Sequence, residues 1–356
     1  MTLELDRSIS QMNLLVRSAD VYGEEQTVTE FLSTYLTPDA NEIRYQWLYH
    51  MNPAGVARVW VAYDGEAGSI LGVSAAFPRQ VFDRGQEMKA YVLGDFCIHP
   101  DRRSLGPALA LQRRTLEDLA GSGARLVFDF PSDAMLAVYR RLRIEPRESV
   151  IRFAKPLRAE RQIRNRIPSK SAVNTLSLAA NWALRVRDLG LRRSRAWTIR
   201  EETAPCGEEF TLAFRQWAPG MGVCSDRSAE YLNWRYLQHP LRHYHILTAR
   251  QNGKLCGFLI YEREGENATV ADFMANEKKA VKALLVESIA VLRQRGVHTI
   301  SAPFLQSHPS RAILADCGFR PRESAPVMLI PTAGAANWES GPFADRWYLT
   351  HGDRES

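Results

Sequence analysis

The stretch Gly94-Asp-Phe-Cys-Ile-His-Pro-Asp-Arg-Arg-Ser-Leu-Gly-Pro-Ala108, running into the leucine-spaced segment Leu109 to Leu119, decides how this chain is read. It spells a strand, a tight turn built on Arg103-x-x-Gly106-x-Ala108, and a helix. The first turn of such a helix carries backbone N–H groups without partners, backed by the positive end of the helix dipole. Those donors suit a diphosphate, provided the turn residues are small enough for the ligand to come close. Gly106 and Ala108 meet that need. Pro107 gives up one N–H, which a first helical turn tolerates because that amide has no helical partner.

The pattern Ile98-x-Pro100-x-x-Arg103-x-x-Gly106-x-Ala108 resembles the acyl-CoA pyrophosphate loop of the GNAT superfamily of CoA-dependent N-acetyltransferases, departing from it at Ser104, where glycine is common, and at Pro107. The resemblance implies an α+β fold of mixed α/β, three-layer type, built around mixed sheets. It implies acetyl-CoA or another acyl-CoA as co-substrate, no metal, and a cofactor site at Phe96, Cys97, Ile98, Arg103, Ser104, Leu105, Gly106 and Ala108. A backbone N–H within Phe96 to Ile98 would hold the thioester carbonyl. Tyr139, in Met135-Leu-Ala-Val-Tyr-Arg-Arg-Leu142, matches the position of the tyrosine that protonates the leaving sulfur; a phenol suits that task because its proton affinity is close to that of a thiolate. Asp95, on the strand beside the expected thioester, is the candidate for a base acting through water, with a structural role equally open. His99 falls at the strand exit and is expected to be exposed.

Repetition supports a duplicated unit. Ile144-Glu-Pro-Arg-Glu-Ser149 returns as Phe319-Arg-Pro-Arg-Glu-Ser324, Gly94-Asp95-Phe96 returns as Ala271-Asp272-Phe273, and Trp47 with Pro53 returns as Trp234 with Pro240. Each half opens with a short strand (residues 13–16; 197–200) and a helix with apolar residues at helical spacing (Val28, Phe31, Leu32, Tyr35; Phe210, Ala213, Phe214, Trp217). Paired strands, a central strand, a long helix and a final strand–helix–strand follow. The expected organisation is a GNAT domain over residues 1–154, a connector over 155–195, and a second GNAT-like domain over 196–356. In the second half the central strand leads into Asn276-Glu277-Lys278-Lys279, without glycine and with a carboxylate beside the helix start, so only the first half is expected to bind CoA. Tyr139 maps onto Leu314, so the tyrosine is missing from the second half as well.

The 356 residues suit two domains, and no run of 18 apolar residues or leader-like N-terminus is visible. Five cysteines without a C-x-x-C pair point to reduced thiols and a cytoplasmic setting. His239, His243 and His245 lie close in sequence, but a metal site would need a fourth ligand, and a packed aromatic loop or an acceptor rim fits better. Charge is concentrated: residues 155–200 hold 12 Lys/Arg against two acidic residues, a net of +10, while the rest of the chain is mildly acidic. This connector is expected to drape its leucines and Trp182 over the domains with its charges in water; contact with an anionic membrane surface or an acidic carrier protein are the alternatives, and nucleic acid ranks last because stacking aromatics are sparse. The functional expectation is N-acetyl transfer to a small amine or an amino sugar. A FemAB-like aminoacyl transferase, which would lack the intact turn, and a GNAT-fold binding protein without turnover are the rivals.

Overall fold

In this computed structural model, residues 14–65, 68–164, 170–191, 193–332 and 346–355 are described; Asn13, expected in the first strand, and connector residues 165–169 and 192 lie outside them. The first half comprises β1 (Leu14–Ser18), α1 (Glu25–Tyr35), α2 (Glu42–Tyr45) widening into a π-type turn (Gln46–His50), β2 (Arg58–Asp64), β3 (Ile70–Asp83), β4 (Gln86–Ile98), α3 (Leu105–Ala120), β5 (Leu126–Asp129), α4 (Asp133–Arg141) and β6 (Glu148–Pro156). The connector forms α5 (Glu160–Arg164) and α6 (Lys170–Asp188). The second half repeats the order: β7 (Thr198–Glu202), α7 (Glu208–Trp217), an added β8 (Val223–Ser225), α8 (Ala229–Leu232) with its own π-type turn (Asn233–Leu237), β9 (Tyr244–Gln251), β10 (Lys254–Glu264), β11 (Asn267–Ala275), α9 (Lys278–Gln294), β12 (Thr299–Leu305), α10 (Arg311–Asp316) and β13 (Arg320–Pro331). β14 (Trp347–Tyr348) and a helical turn (His351–Asp353) close the described chain.

Side-chain alternation explains the layers. Along β2, Val59 and Val61 face a core shared with α1 and the first π-type turn, whereas Trp60 and Ala62 face a core shared with α3 and α4. A strand buried on both faces is apolar at most positions, and β3 is buried at nine consecutive residues from Leu71 to Arg79, of which Ser74 and Arg79 alone are polar. The second half does the same: Leu247, Ala249 and Leu259 pack toward α9, and Ile246, Phe258 and Ile260 toward α7. The helical spacing read from sequence is realised, with Val28, Phe31 and Leu32 buried on α1 and Phe210, Ala213, Phe214 and Trp217 on α7.

The halves share one sheet, ordered β1-β2-β3-β4-β5-β13-β6-β12-β11-β10-β9-β7. The last strand of each half lies across the boundary. β13 is antiparallel to β5 of the first half, with Met328 opposite Asp129, and β6 is antiparallel to β12 of the second, with Phe153 opposite Ala302. Sequence repetition marks two units at residues 154 and 196, but the backbone hydrogen bonds exchange the terminal strands between them.

A second join sits at the π-type turns. The Trp47 indole N–H donates to the Trp234 carbonyl at 2.9 Å, the Trp234 indole N–H donates to the Trp47 carbonyl at 3.0 Å, and the rings stack at 5.0 Å. The repeated Trp thus marks a local pseudo-twofold axis, and each buried indole donor is satisfied by the opposite half.

The candidate active-site cleft

β4 and β5 are paired in parallel only over Ala90–Val92 and Leu126–Phe128. Beyond this they separate, and the gap opens between Leu93–Phe96 on one side and Asp129–Pro131 on the other. A bulge shapes the β4 wall. Ala75 pairs with Gly94 and Val73 with Cys97, so Asp95 and Phe96 stand against Ser74 alone. Asp95 takes φ +46, a conformation that a non-glycine residue adopts only when its surroundings hold it there.

Those surroundings are specific. The Arg44 guanidinium donates to both Asp95 oxygens at 2.8 Å, and the Tyr49 hydroxyl donates to Oδ2 at 2.7 Å. The expectation that Asp95 is a base acting through water meets a carboxylate already engaged by three donors, and the same clamp recurs where no cleft is open: Asp272 is held by Arg227 and by the Tyr236 hydroxyl at 2.9 Å. The arrangement fixes the bulge. Of the three residues expected to present the carbonyl-binding amide, Phe96 borders the gap, whereas Cys97 and Ile98 are back in the ladder opposite Val73 and Gly72 and are buried.

The turn after β4 folds as Pro100–Arg102 in 3-10 form, with Ser104 extended at the N-cap of α3 and giving the helix no side-chain cap. Leu105 and Gly106 open the helix, and Pro107 and Ala108 are buried in its first turn. Arg103 is exposed, and its Nε donates to the Ile98 carbonyl at 3.3 Å, which braces the turn. His99 is half-buried rather than exposed, its Nε2 lying 3.1 Å from the Tyr35 hydroxyl. Gln112 stands about 9 Å along the helix from Gly106, at ~1.5 Å per residue. Gln112 lines the gap, so a ligand held at the turn reaches the cavity along the β4 edge.

Tyr139 has no exposed surface. Its hydroxyl donates to Asp129 Oδ2 at 2.6 Å and receives the Gln112 amide at 3.2 Å, one side chain behind the cavity. Asp129 itself lines the cavity, and burial pushes its carboxyl up to about 7 although the Tyr139 hydrogen bond acts the other way. The residue that sequence reasoning missed is Glu355. Its side chain lies against Gly94, so close that a Cβ there would overlap it, and the neighbouring Arg354 guanidinium covers the Phe130 ring at 5.3 Å. Burial raises the Glu355 carboxyl above the usual range, Arg354 opposing, and its Oε2 is buried without a hydrogen-bond partner. A position near the end of the chain, 200 residues and more from the motif, carries no local signal for such a role.

The cavity between these walls has a volume of about 700 Å³. Its floor is polar, with Ser74, Gln112 and Asp129, and its rim on the second half includes Arg242, His243 and Glu264. His239 is part of the packing: its ring lies 4.3 Å from Trp47, its Nδ1 accepts the Leu241 and Arg242 amides, and burial pushes its pKa down to about 3. Among the described residues no three His, Cys, Asp or Glu side chains converge as a metal site.

The second half has the matching gap. β11 and β12 pair in parallel over Asn267–Thr269 and Thr299–Ser301, then separate. Here the C-terminal segment fills the space. The Tyr348 hydroxyl donates to the Phe273 carbonyl, and Arg227, fully buried, bridges Asp272 at 3.1 Å and Asp353 at 2.7 Å. Gly352 passes where any Cβ would strike the Tyr236 hydroxyl. The chain leaves this gap after Asp353 and enters the first one with Arg354 and Glu355.

Residues 16–145 match the family model described as "Acetyltransferase (GNAT) domain". No curated protein matches the chain. Solved structures of similar fold include a GCN5-related N-acetyltransferase from Anabaena variabilis (15% identity, 89% of this chain and 72% of that one, TM-score 0.62) and a probable N-acyltransferase from Enterococcus faecalis (13%, 90% and 72%, TM-score 0.64). The N-myristoyltransferase of Saccharomyces cerevisiae, solved with bound myristoyl-CoA, is also similar (13%, 89% and 79%, TM-score 0.56). The protein therefore has the fold of these acyltransferases, and the match to the GNAT acetyltransferase model lies within its first half.

Proposed function

We propose that the protein is an acyl-CoA-dependent N-acyltransferase that moves a short acyl group, acetyl first, from CoA to a small amine or amino sugar in the first-half cleft. The observation that carries this reading is the open gap between β4 and β5, lined by Gln112 of the helix that follows the turn and by Glu355, whose Oε2 is buried without a hydrogen-bond partner. The diphosphate rests on the amides of Leu105, Gly106 and Ala108, with Ser104 at the lip and Arg103 bracing the turn. The thioester carbonyl meets the backbone at Phe96, beside Cys97 and Ile98. A polar floor of Ser74, Gln112 and Asp129 favours acetyl over a long chain, since a long hydrocarbon would leave those groups without partners.

Glu355 accepts the proton of the attacking amine as the C–N bond forms, a role suited to a carboxyl whose proton affinity burial raises. The C–S bond then breaks, and the leaving sulfur takes its proton from the Tyr139–Asp129 pair, whose Asp129 faces the cavity. Asp95 stays in its clamp and positions the bulge. Arg242, His243 and Glu264 of the second half read the acceptor.

Free-thiol release from acetyl-CoA, measured against a panel of amines and amino sugars, tests the reading. Turnover with at least one acceptor is expected, and Glu355→Gln should lower kcat by roughly 10²–10⁴-fold while acetyl-CoA binding holds. Absence of both acetyl-CoA binding and turnover would overturn the assignment.

A further inference from the structure

α6 is attached to the protein by its polar side. The Asn181 side chain accepts the Ala159 amide at 2.8 Å and donates to Glu160 at 2.7 Å, and Asp188 pairs with buried Lys155 at 2.7 Å and with Arg293. Its apolar side faces water. Leu178 is 73% exposed, Trp182 69%, Val186 40% and Leu189, just past the helix end, 74%. At ~100° per residue these four fall within about a quarter of the helix circumference, forming one stripe. This reverses the expected drape of the connector, in which the leucines would be covered and the charges exposed. Isolated exposed apolar residues are ordinary; a contiguous stripe including tryptophan, on a helix held by hydrogen bonds and ion pairs, marks a surface with a partner.

Charge selects the partner. Arg185 borders the stripe, half-exposed Arg187 follows it, and exposed Arg164 and Arg195 lie on the flanking chain, within a segment of net charge +10. Two copies meeting here would bring two such segments together, which like-charge repulsion opposes. An anionic bilayer surface satisfies both features: hydrocarbon takes Leu178, Trp182, Val186 and Leu189 at the headgroup boundary, and anionic headgroups take the guanidiniums. We propose that α6 is a membrane-surface helix that docks the protein reversibly, without spanning, on anionic lipid.

The full chain is sedimented with vesicles of phosphatidylcholine alone and of phosphatidylcholine with phosphatidylglycerol, with no acyl-CoA present, so the outcome is independent of the proposed reaction. Pelleting is expected with the anionic vesicles, little with the neutral ones, and a decline as salt rises. Joint replacement Leu178→Ser, Trp182→Ser and Leu189→Ser should weaken binding by about tenfold or more with an unchanged circular dichroism spectrum, because these side chains are solvent-exposed. The proposal fails if the native chain stays in the supernatant with anionic vesicles, or if the triple variant pellets equally well. It fails too if velocity sedimentation shows a dimer that the triple variant loses, in which case a second copy covers the stripe.

Discussion

The two gaps of this molecule share one architecture and differ in what occupies them. In both, parallel central strands part company, an aspartate is clamped by an arginine and a tyrosine, and a long helix starts beside the opening. The second gap is closed by Tyr348, Gly352 and Asp353, knitted in by Arg227. The first keeps a cavity of about 700 Å³ and receives Arg354 and Glu355. The repeated order of elements gives two gaps, and the segment from Trp347 to Glu355 distinguishes them, filling one and furnishing the other with a carboxylate.

The sharpest way to break this contrast is at Arg227. Replacing it with methionine leaves Asp272 and Asp353 buried together without a cation, and urea unfolding should show a loss of about 3–5 kcal/mol. The matching change Arg44→Met, beside a cavity that admits water to Asp95, should cost roughly half as much. Equal losses would mean the first clamp is as sealed as the second.

Ligand binding probes the same contrast next. Gly106→Glu places a side chain and a negative charge at the helix start and should weaken acetyl-CoA binding by about a hundredfold in calorimetry. Lys279→Glu at the start of α9 should leave it within about twofold. A large effect at Lys279 would move the coenzyme to the second half.

The smallest effect concerns pH. The Asp129 carboxyl is held at about 7 by burial against 3.8 when exposed, so between those values the folded state binds the extra proton. Stability therefore falls as pH rises through that window, and above about 7 the cost is fully present. Asp129→Asn removes the titration, and thermal melts at pH 5 and pH 8 should differ less than in the native chain, by about 2 kcal/mol. An unaltered pH dependence would place the proton elsewhere.

Much of this was legible in the residues because it is local. Periodic apolar positions announced α1, α7 and the paired strands, and Trp47 with Trp234 marked the repeated order of elements. The strand–turn–helix at Gly94 to Ala108 marked the opening, since turn chemistry is written in adjacent residues. What escaped is non-local. No spacing rule reports that β6 and β13 trade places, because both read as ordinary strands in either register. Glu355 reaches Gly94 only after the fold brings residues 261 apart in sequence together, and the Tyr139 hydroxyl was assigned to the gap without knowledge that Asp129 and Gln112 stand in front of it. For α6 the pattern was visible but its sign was not, since an amphipathic helix does not declare which face it turns inward.

The traded strands carry a consequence for how the chain comes into being. As residues up to 156 emerge from a ribosome, β5 has no neighbour on its outer side and β6 has no ladder to join; β12 and β13 are still to be synthesised. The amino-terminal half must wait, with open strand edges, for nearly the whole polypeptide, a long-range closure that slows folding and exposes it to mispairing. Severing the gene between the halves would yield two fragments that each lack a piece of the other, and co-expression, rather than separate purification, would be the route to recovering a native particle.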